Sequence, residues 1–222
     1  MNNEYDLSNQ KIQKIAEYWD AYSPEFDEAH NTENLNLWKQ ELERAIGSNG
    51  RGKILDIGTG TGFLAFMLAE MGYQAIGVDI ADAMMDIGRK KAADRNLNVD
   101  FVLSTGEQLP YEGPCFDAVV NCRVLWTLMD PIAAVKEWIR VLKPGGKVIS
   151  FMRIMQVSAE GRESFYSCNG MPIELPLRNA TEEDYLRVYA EAGLVNNRAE
   201  KLPAAMSVAD MPGWSVFIGE KA

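Results

Sequence analysis

The stretch from Lys53 to Ala65, KILDIGTGTGFLA, joins an apolar strand-like run to a helix-like run through Gly58, Gly60 and Gly62. In α/β sheets ligands lie beyond the carboxyl ends of the strands, so this turn is where a bound molecule sits. Glycine lets the backbone come within contact distance of that molecule and adopt dihedrals other residues resist. Three readings compete. A dinucleotide fingerprint needs GxGxxG, but here the third glycine arrives one place early and Phe63 stands where a small residue belongs. A phosphate-binding P-loop fails because no Gly-Lys-Ser/Thr follows. The third reading, a turn that is merely tight, loses ground to Asp79. That residue ends the next strand, AIGVD, where a carboxylate can accept hydrogen bonds from both hydroxyls of a ribose.

Working outward, short β-branched runs alternate with helical patterns. KILDI, AIGVD, VDFVL, FDAVVNC and KVISFM read as strands. Residues 62–72 and 81–95 carry Phe63, Phe66, Met67, Met84 and Met85 at helical spacing. Asp130-Pro131 starts a further helix that stops at Lys143-Pro144-Gly145-Gly146. Strand and helix in alternation predict a doubly wound α/β sheet, mostly parallel, of Rossmann-like type. With LVNNRAEKL and WSVFIGE the sheet counts seven strands, the last of them antiparallel. Between Met155 and Ala180 lies a small insertion with weak periodicity, followed by a helix over 181–192 that Gly193 ends. The first 50 residues hold two amphipathic patterns, 8–22 and 32–46, joined by SPEFDEAH. They are read as a helical cap, residues 1–50, on a ligand-binding domain, residues 51–222.

The chain has 222 residues, 47% of them hydrophobic, which suffices for one full domain with a core and excludes a disordered or fibrous class. Lys and Arg total 22 against 32 Asp and Glu, a formal charge of -10 that repels phosphate backbones and anionic lipid. Nucleic acid and membrane are therefore set aside as partners. Cys115, Cys122 and Cys168 form no CxxC pair, which suits a reducing cytoplasm better than a disulfide framework or zinc site, so no metal is expected. No signal peptide or membrane span is legible.

Four segments in order resemble the class I S-adenosylmethionine-dependent methyltransferases: DIGTGTG at 56–62, VDIADAMM at 78–85, TGEQLPYEGPCFDAVV at 105–120 and RVLKPGG at 140–146. The resemblance covers residues 53–154. It implies S-adenosylmethionine as cofactor, with Asp56, Gly58, Thr59, Gly60 and Gly62 forming the loop along its methionine moiety. Asp79 would hold the ribose, and Ile80 and Met84 would flank the adenine. Thr105, Gly106 and Glu107 fall around the adenine amine, although family members often carry an aspartate where this chain has Thr105. Asn121 and Cys122 would run past the methionine portion.

The implied reaction is in-line displacement of methyl from a sulfonium cation to a nucleophile, for which orientation in a dry pocket supplies much of the rate. A general base is needed only when the acceptor still carries a proton. No catalytic base is assigned. The only histidine, His30, lies in the cap, where it is either a substrate contact or a packing residue. Tyr22, Phe26, Arg123 and Trp126 are the other candidate acceptor contacts, each with a purely structural alternative. The acidic charge and short insertion leave a small-molecule acceptor as the leading partner. Aminopropyl transfer on the same fold and a non-catalytic cofactor-binding regulatory module are the alternatives. Oligomeric state is not legible.

Overall fold

The computed structural model describes residues 2–29, 33–47, 51–154, 166–206 and 213–222. Two helices, α1 (Asn2–Ala29) and α2 (Leu35–Ile46), precede a sheet whose strands alternate with helices: β1 (Lys53–Ile57), α3 (Phe63–Glu70), β2 (Gln74–Asp79), α4 (Asp82–Asp94), β3 (Val99–Leu103), β4 (Phe116–Cys122), α5 (Pro131–Val141) and β5 (Leu142–Arg153). A short hairpin, β6 (Ser167–Cys168) with β7 (Met171–Pro172), leads to α6 (Glu182–Ala192), β8 (Val195–Lys201) and β9 (Trp214–Glu220). The seven-stranded sheet has the order β3-β2-β1-β4-β5-β9-β8.

Parallel pairing of β1 with β2 and β4, of β2 with β3, and of β4 with β5 gives the expected doubly wound core. The last strand, β9, is antiparallel to both of its neighbours, and it lies between β5 and β8 so that β8 takes the edge. Alternate residues of β1 feed two cores. Leu55 and Ile57 join Trp138 and Phe217 on one face, while Ile54 joins Trp38 and Phe151 on the other. The order reverses between β1 and β4, and the crevice there is where such sheets bind ligands.

Helix boundaries follow local chemistry. Asp130 accepts the Ala133 N–H at 2.9 Å with Pro131 at the first turn of α5, and Thr181 and Asp184 close a capping box on α6. The expected joint at SPEFDEAH does not break α1, which runs through Pro24. Proline lacks the N–H that would reach the Asp20 carbonyl. The Ser23 hydroxyl donates to that carbonyl instead, at 2.8 Å, and the helix continues. β5 also begins earlier than KVISFM, because Phe116 already pairs with Leu142 ahead of a register shift. Helix α2 is no loose cap. Trp38 is fully buried against Phe63, Phe151 and Trp214, with ring centroids 5.0 to 5.3 Å apart. Within the expected insertion, residues 155–165 lie outside the described residues, and the rest packs Tyr166, Cys168, Ile173 and Leu175 against Ile15 of α1.

Candidate active site

A cavity of about 1160 Å³ opens at the carboxyl ends of β1, β2 and β4, between the glycine turn and α1. The turn that floors it is wired tightly. The Thr59 N–H donates to the Val78 carbonyl at 3.0 Å, Gly62 N–H to the Thr59 carbonyl at 2.9 Å, and Gly60 N–H to Asp79 Oδ2 at 2.8 Å. All three glycines have positive φ, at 64°, 53° and 95°. They differ in what surrounds them. A Cβ on Gly58 would lie 2.3 Å from Val124 Cγ2, and one on Gly62 would lie 2.5 Å from Phe66 Cζ. One on Gly60 would meet nothing closer than Phe26 Cε1 at 4.0 Å among the described residues. Gly58 and Gly62 are therefore bare for the fold, whereas Gly60 is bare toward the cavity.

Asp79 is a cavity wall residue whose Oδ1 accepts the Ala81 N–H at 2.9 Å, so its carboxylate ties the glycine turn to the start of α4. Burial raises its pKa above the ordinary carboxylate range, against the pull of those amide donors. Asp56 lies deeper. Its Oδ2 accepts from the Thr59 hydroxyl at 2.8 Å and the Ala65 N–H at 3.2 Å, and burial pushes its pKa up to about 7. It shapes the turn from beneath.

Ile80 and Met84 line the cavity next to Asp79, as do Thr105, Gly106 and Glu107. The Gly106 carbonyl accepts Trp138 Nε1–H at 2.7 Å, and Glu107 Oε1 accepts the N–H groups of Met129 and Asp130, both at 3.2 Å. Burial raises the Glu107 pKa. Two expected site residues, Gly62 and Asn121, do not line the cavity. Asn121 is fully buried and points into the sheet, where its Nδ2 donates to Ser150 Oγ at 2.7 Å, next to the Tyr189 hydroxyl at 2.6 Å from the same oxygen. Strand alternation explains this, since consecutive side chains leave a strand on opposite faces. Cys122, the next residue, lines the cavity, and its thiol is pushed up to about 12 by burial, so it stays protonated at neutral pH.

The acceptor candidates gather at the other end. Tyr22 and Phe26 line the cavity together with Trp19 of the same helix, with ring centroids 6.2 to 6.3 Å apart, and Trp126 lines it from the loop after β4. Arg123 lies over the Trp214 ring at 4.7 Å and forms an ion pair with Glu33. His30 lies outside the described residues. Among the described residues no cluster of three or more His, Cys, Asp or Glu can hold a metal ion, and no helix is long and apolar enough to cross a membrane.

Glu33, Asp20 and Asp27 were not legible as site residues. Asp20 Oδ1 accepts the Ala83 N–H at 2.9 Å, and Asp27 accepts the Thr61 hydroxyl at 2.7 Å and pairs with Lys91 at 2.7 Å. Together they fasten α1 over the cavity. These contacts span 34 to 90 residues, and acidic residues in an acidic chain carry no signal of their own.

A glycine turn open to a cavity, with a carboxylate at the end of the neighbouring strand, defines an α/β protein built to bind a nucleoside-containing cofactor. Residues 55–150 match the family model described as a methyltransferase domain. The chain is 30% identical over 211 residues to the ubiquinone/menaquinone biosynthesis C-methyltransferase UbiE of Idiomarina loihiensis, covering 90% of this chain and 84% of that one. Among solved structures it is similar to the cyclase SpnF, with a TM-score of 0.73, 18% identity and coverage of 95% and 97%. A SAM-dependent methyltransferase from Aquifex aeolicus gives 0.66, 18%, 96% and 97%. The chain belongs to the class I S-adenosylmethionine-dependent methyltransferases, and it is an enzyme that methylates a small molecule.

Proposed function

We propose that the methyl acceptor is a small aromatic ring system of the quinol class, methylated on carbon. The observation that carries this is the aromatic wall of Trp19, Tyr22, Phe26 and Trp126 around a cavity of about 1160 Å³. A single small-molecule site takes roughly 300–1,000 Å³, so this volume accommodates cofactor and acceptor together. The Idiomarina relative, named for ubiquinone and menaquinone biosynthesis, supports the same class.

The residues present fit the cofactor, because Gly60 leaves open the space a Cβ would fill. On this reading Gly58, Thr59 and Gly60 pass along its amino acid end, Asp79 holds its ribose hydroxyls, and Ile80 and Met84 flank its adenine. Thr105, Gly106 and Glu107 close the adenine end. S-adenosylmethionine, when bound, supplies an electrophilic methyl on a sulfonium sulfur. What the chain adds is position and dryness. The backbone of the turn is fixed by Asp56 and Asp79, and the aromatic side chains of α1 exclude water from the acceptor end. Residues 1–50 act as the cap that closes the cavity, with Asp20 and Asp27 as its fastenings. The acidic charge disfavours nucleic acid, and three free cysteines suit a reducing cytoplasm.

The test is transfer of labelled methyl from S-adenosylmethionine to 1,4-naphthohydroquinone, with histamine, a dodecamer DNA and casein as comparison acceptors. Label on a ring carbon of the hydroquinone is expected. Label on the amine, nucleic acid or protein alone would overturn the proposal.

A further inference from the structure

Arg123 follows β4 directly, and its guanidinium is surrounded by cavity walls. It lies over the rings of Trp214 and Phe63 at 4.7 and 5.8 Å, pairs with Glu33 and approaches Cys122 Sγ at 3.6 Å. All four of these residues line the cavity, as Arg123 itself does. The Arg123 side chain is 25% exposed, so a molecule in the cavity reaches it. A guanidinium carries five N–H donors, and sulfur is a weak acceptor. Nη2 donates to Glu33 and Nη1 to the Cys122 sulfur, while Nε has no acceptor among the described residues. Donor capacity is left over at the cavity wall.

Those donors are fixed in place. Arg123 has a φ of 65°, its backbone N–H donates to the Phe151 carbonyl at 3.0 Å, and the two aromatic rings hold the plane of the guanidinium. Donors held in advance stabilise negative charge without having to reorganise. A second arginine stands beside the first. Arg153 ends β5 opposite Trp214 of β9, the residue whose ring carries the Arg123 guanidinium, and it is half-buried on the wall of the same cavity. Burial and the neighbouring charge of Arg123 both lower its pKa. Two adjacent cations on one wall reverse the local field in a chain whose formal charge is -10. A cavity wall of this kind favours an anion.

We propose that Arg123 and Arg153 hold the methyl acceptor through an anionic ring oxygen, so that the site takes a phenolate in preference to the neutral phenol. This rests on the aromatic-acceptor reading above and adds to it the charge state of the ring. A phenolate oxygen raises the electron density of the carbons ortho and para to it, and every unsubstituted carbon of a hydroquinone ring is ortho to one of its oxygens. The phenol proton passes to solvent before the acceptor binds. No base from the chain is then required at that oxygen.

The experiment is calorimetric titration of protein saturated with S-adenosylhomocysteine, using 4-nitrophenol, which ionises near neutral pH, and 4-nitroanisole, which does not ionise. An opposite charge close to an acid favours its ionised form by tenfold or more, so wild-type affinity for 4-nitrophenol should rise about tenfold between about pH 5.5 and about pH 8.5. Affinity for 4-nitroanisole should stay level over the same range, which separates ionisation of the probe from that of the chain. Arg123→Met combined with Glu33→Gln removes both charges of the ion pair, so that no buried carboxylate is stranded, and should bring the rise within about threefold. Arg153→Met should reduce it part of the way, and Arg123→Lys, which keeps the charge but loses the fixed fork, should fall between. S-adenosylhomocysteine affinity should stay unchanged in all three. Binding of both probes to the wild type without a rise for 4-nitrophenol would overturn this assignment while leaving the aromatic reading intact, as would a rise preserved in every variant. Binding of neither probe would overturn both.

Discussion

Gly60→Ala separates the two uses of glycine in the turn. At φ 53° an alanine suffers the left-handed penalty of roughly 1–2 kcal/mol, but its methyl meets no described atom within about van der Waals contact. For a chain of this size each kcal/mol shifts Tm by about 2–4 °C, so the expected loss is about 2–8 °C. The methyl group instead enters the cavity, and affinity for S-adenosylhomocysteine should fall more than tenfold. Gly58→Ala is the counterpart. It has a similar φ of 64° but places its methyl 2.3 Å from Val124 Cγ2, adding overpacking of roughly 1–3 kcal/mol to the backbone cost. Its Tm should therefore drop further than that of Gly60→Ala. Scanning calorimetry and isothermal titration on both variants supply the readouts. Normal cofactor affinity in a folded Gly60→Ala protein would refute the placement of the turn, and equal Tm values would refute the division of roles.

Asp56→Asn should change the pH dependence of stability. The folded pKa is raised from 3.8 to about 7, so the native state holds a proton that the unfolded chain has released across that window. This contribution is present in full below the unfolded value and is lost as pH rises through about 7; the fall in wild-type Tm relative to Asp56→Asn between pH 4 and 7 measures it. Trp38→Ala empties the pocket between α2 and the sheet and should cost roughly 3–5 kcal/mol in denaturant unfolding. Asp20→Ala removes the side chain that caps α4 from α1, since Ala81 offers none. A loss of about 1 kcal/mol and faster amide exchange at Ala83 are expected.

The parallel sheet was legible because buried strands and amphipathic helices have distinct periods, and because Asp130, Pro131, Thr181 and Gly193 mark helix ends chemically. The position of β9 between β5 and β8 was not, since nothing in WSVFIGE states which neighbour it pairs with. The expected joint at SPEFDEAH stays helical for a physical reason: the Ser23 hydroxyl, one residue before Pro24, donates to the Asp20 carbonyl that proline cannot reach. In the site, residues near the glycine turn were legible through spacing within one βαβ unit. Asn121 and Cys122 were indistinguishable as sequence, and only strand alternation sends one into the core and the other to the cavity. Glu33 meets Arg123 across 90 residues, a closeness that the folded chain alone creates.

The account rests most directly on Asp79 as the ribose contact beside the glycine turn. Isothermal titration with S-adenosylhomocysteine, comparing the wild type with Asp79→Ala shown to be folded by circular dichroism, tests it. Micromolar affinity in the wild type and a loss of more than tenfold in the variant are predicted. Equal affinity in the two proteins would contradict the account.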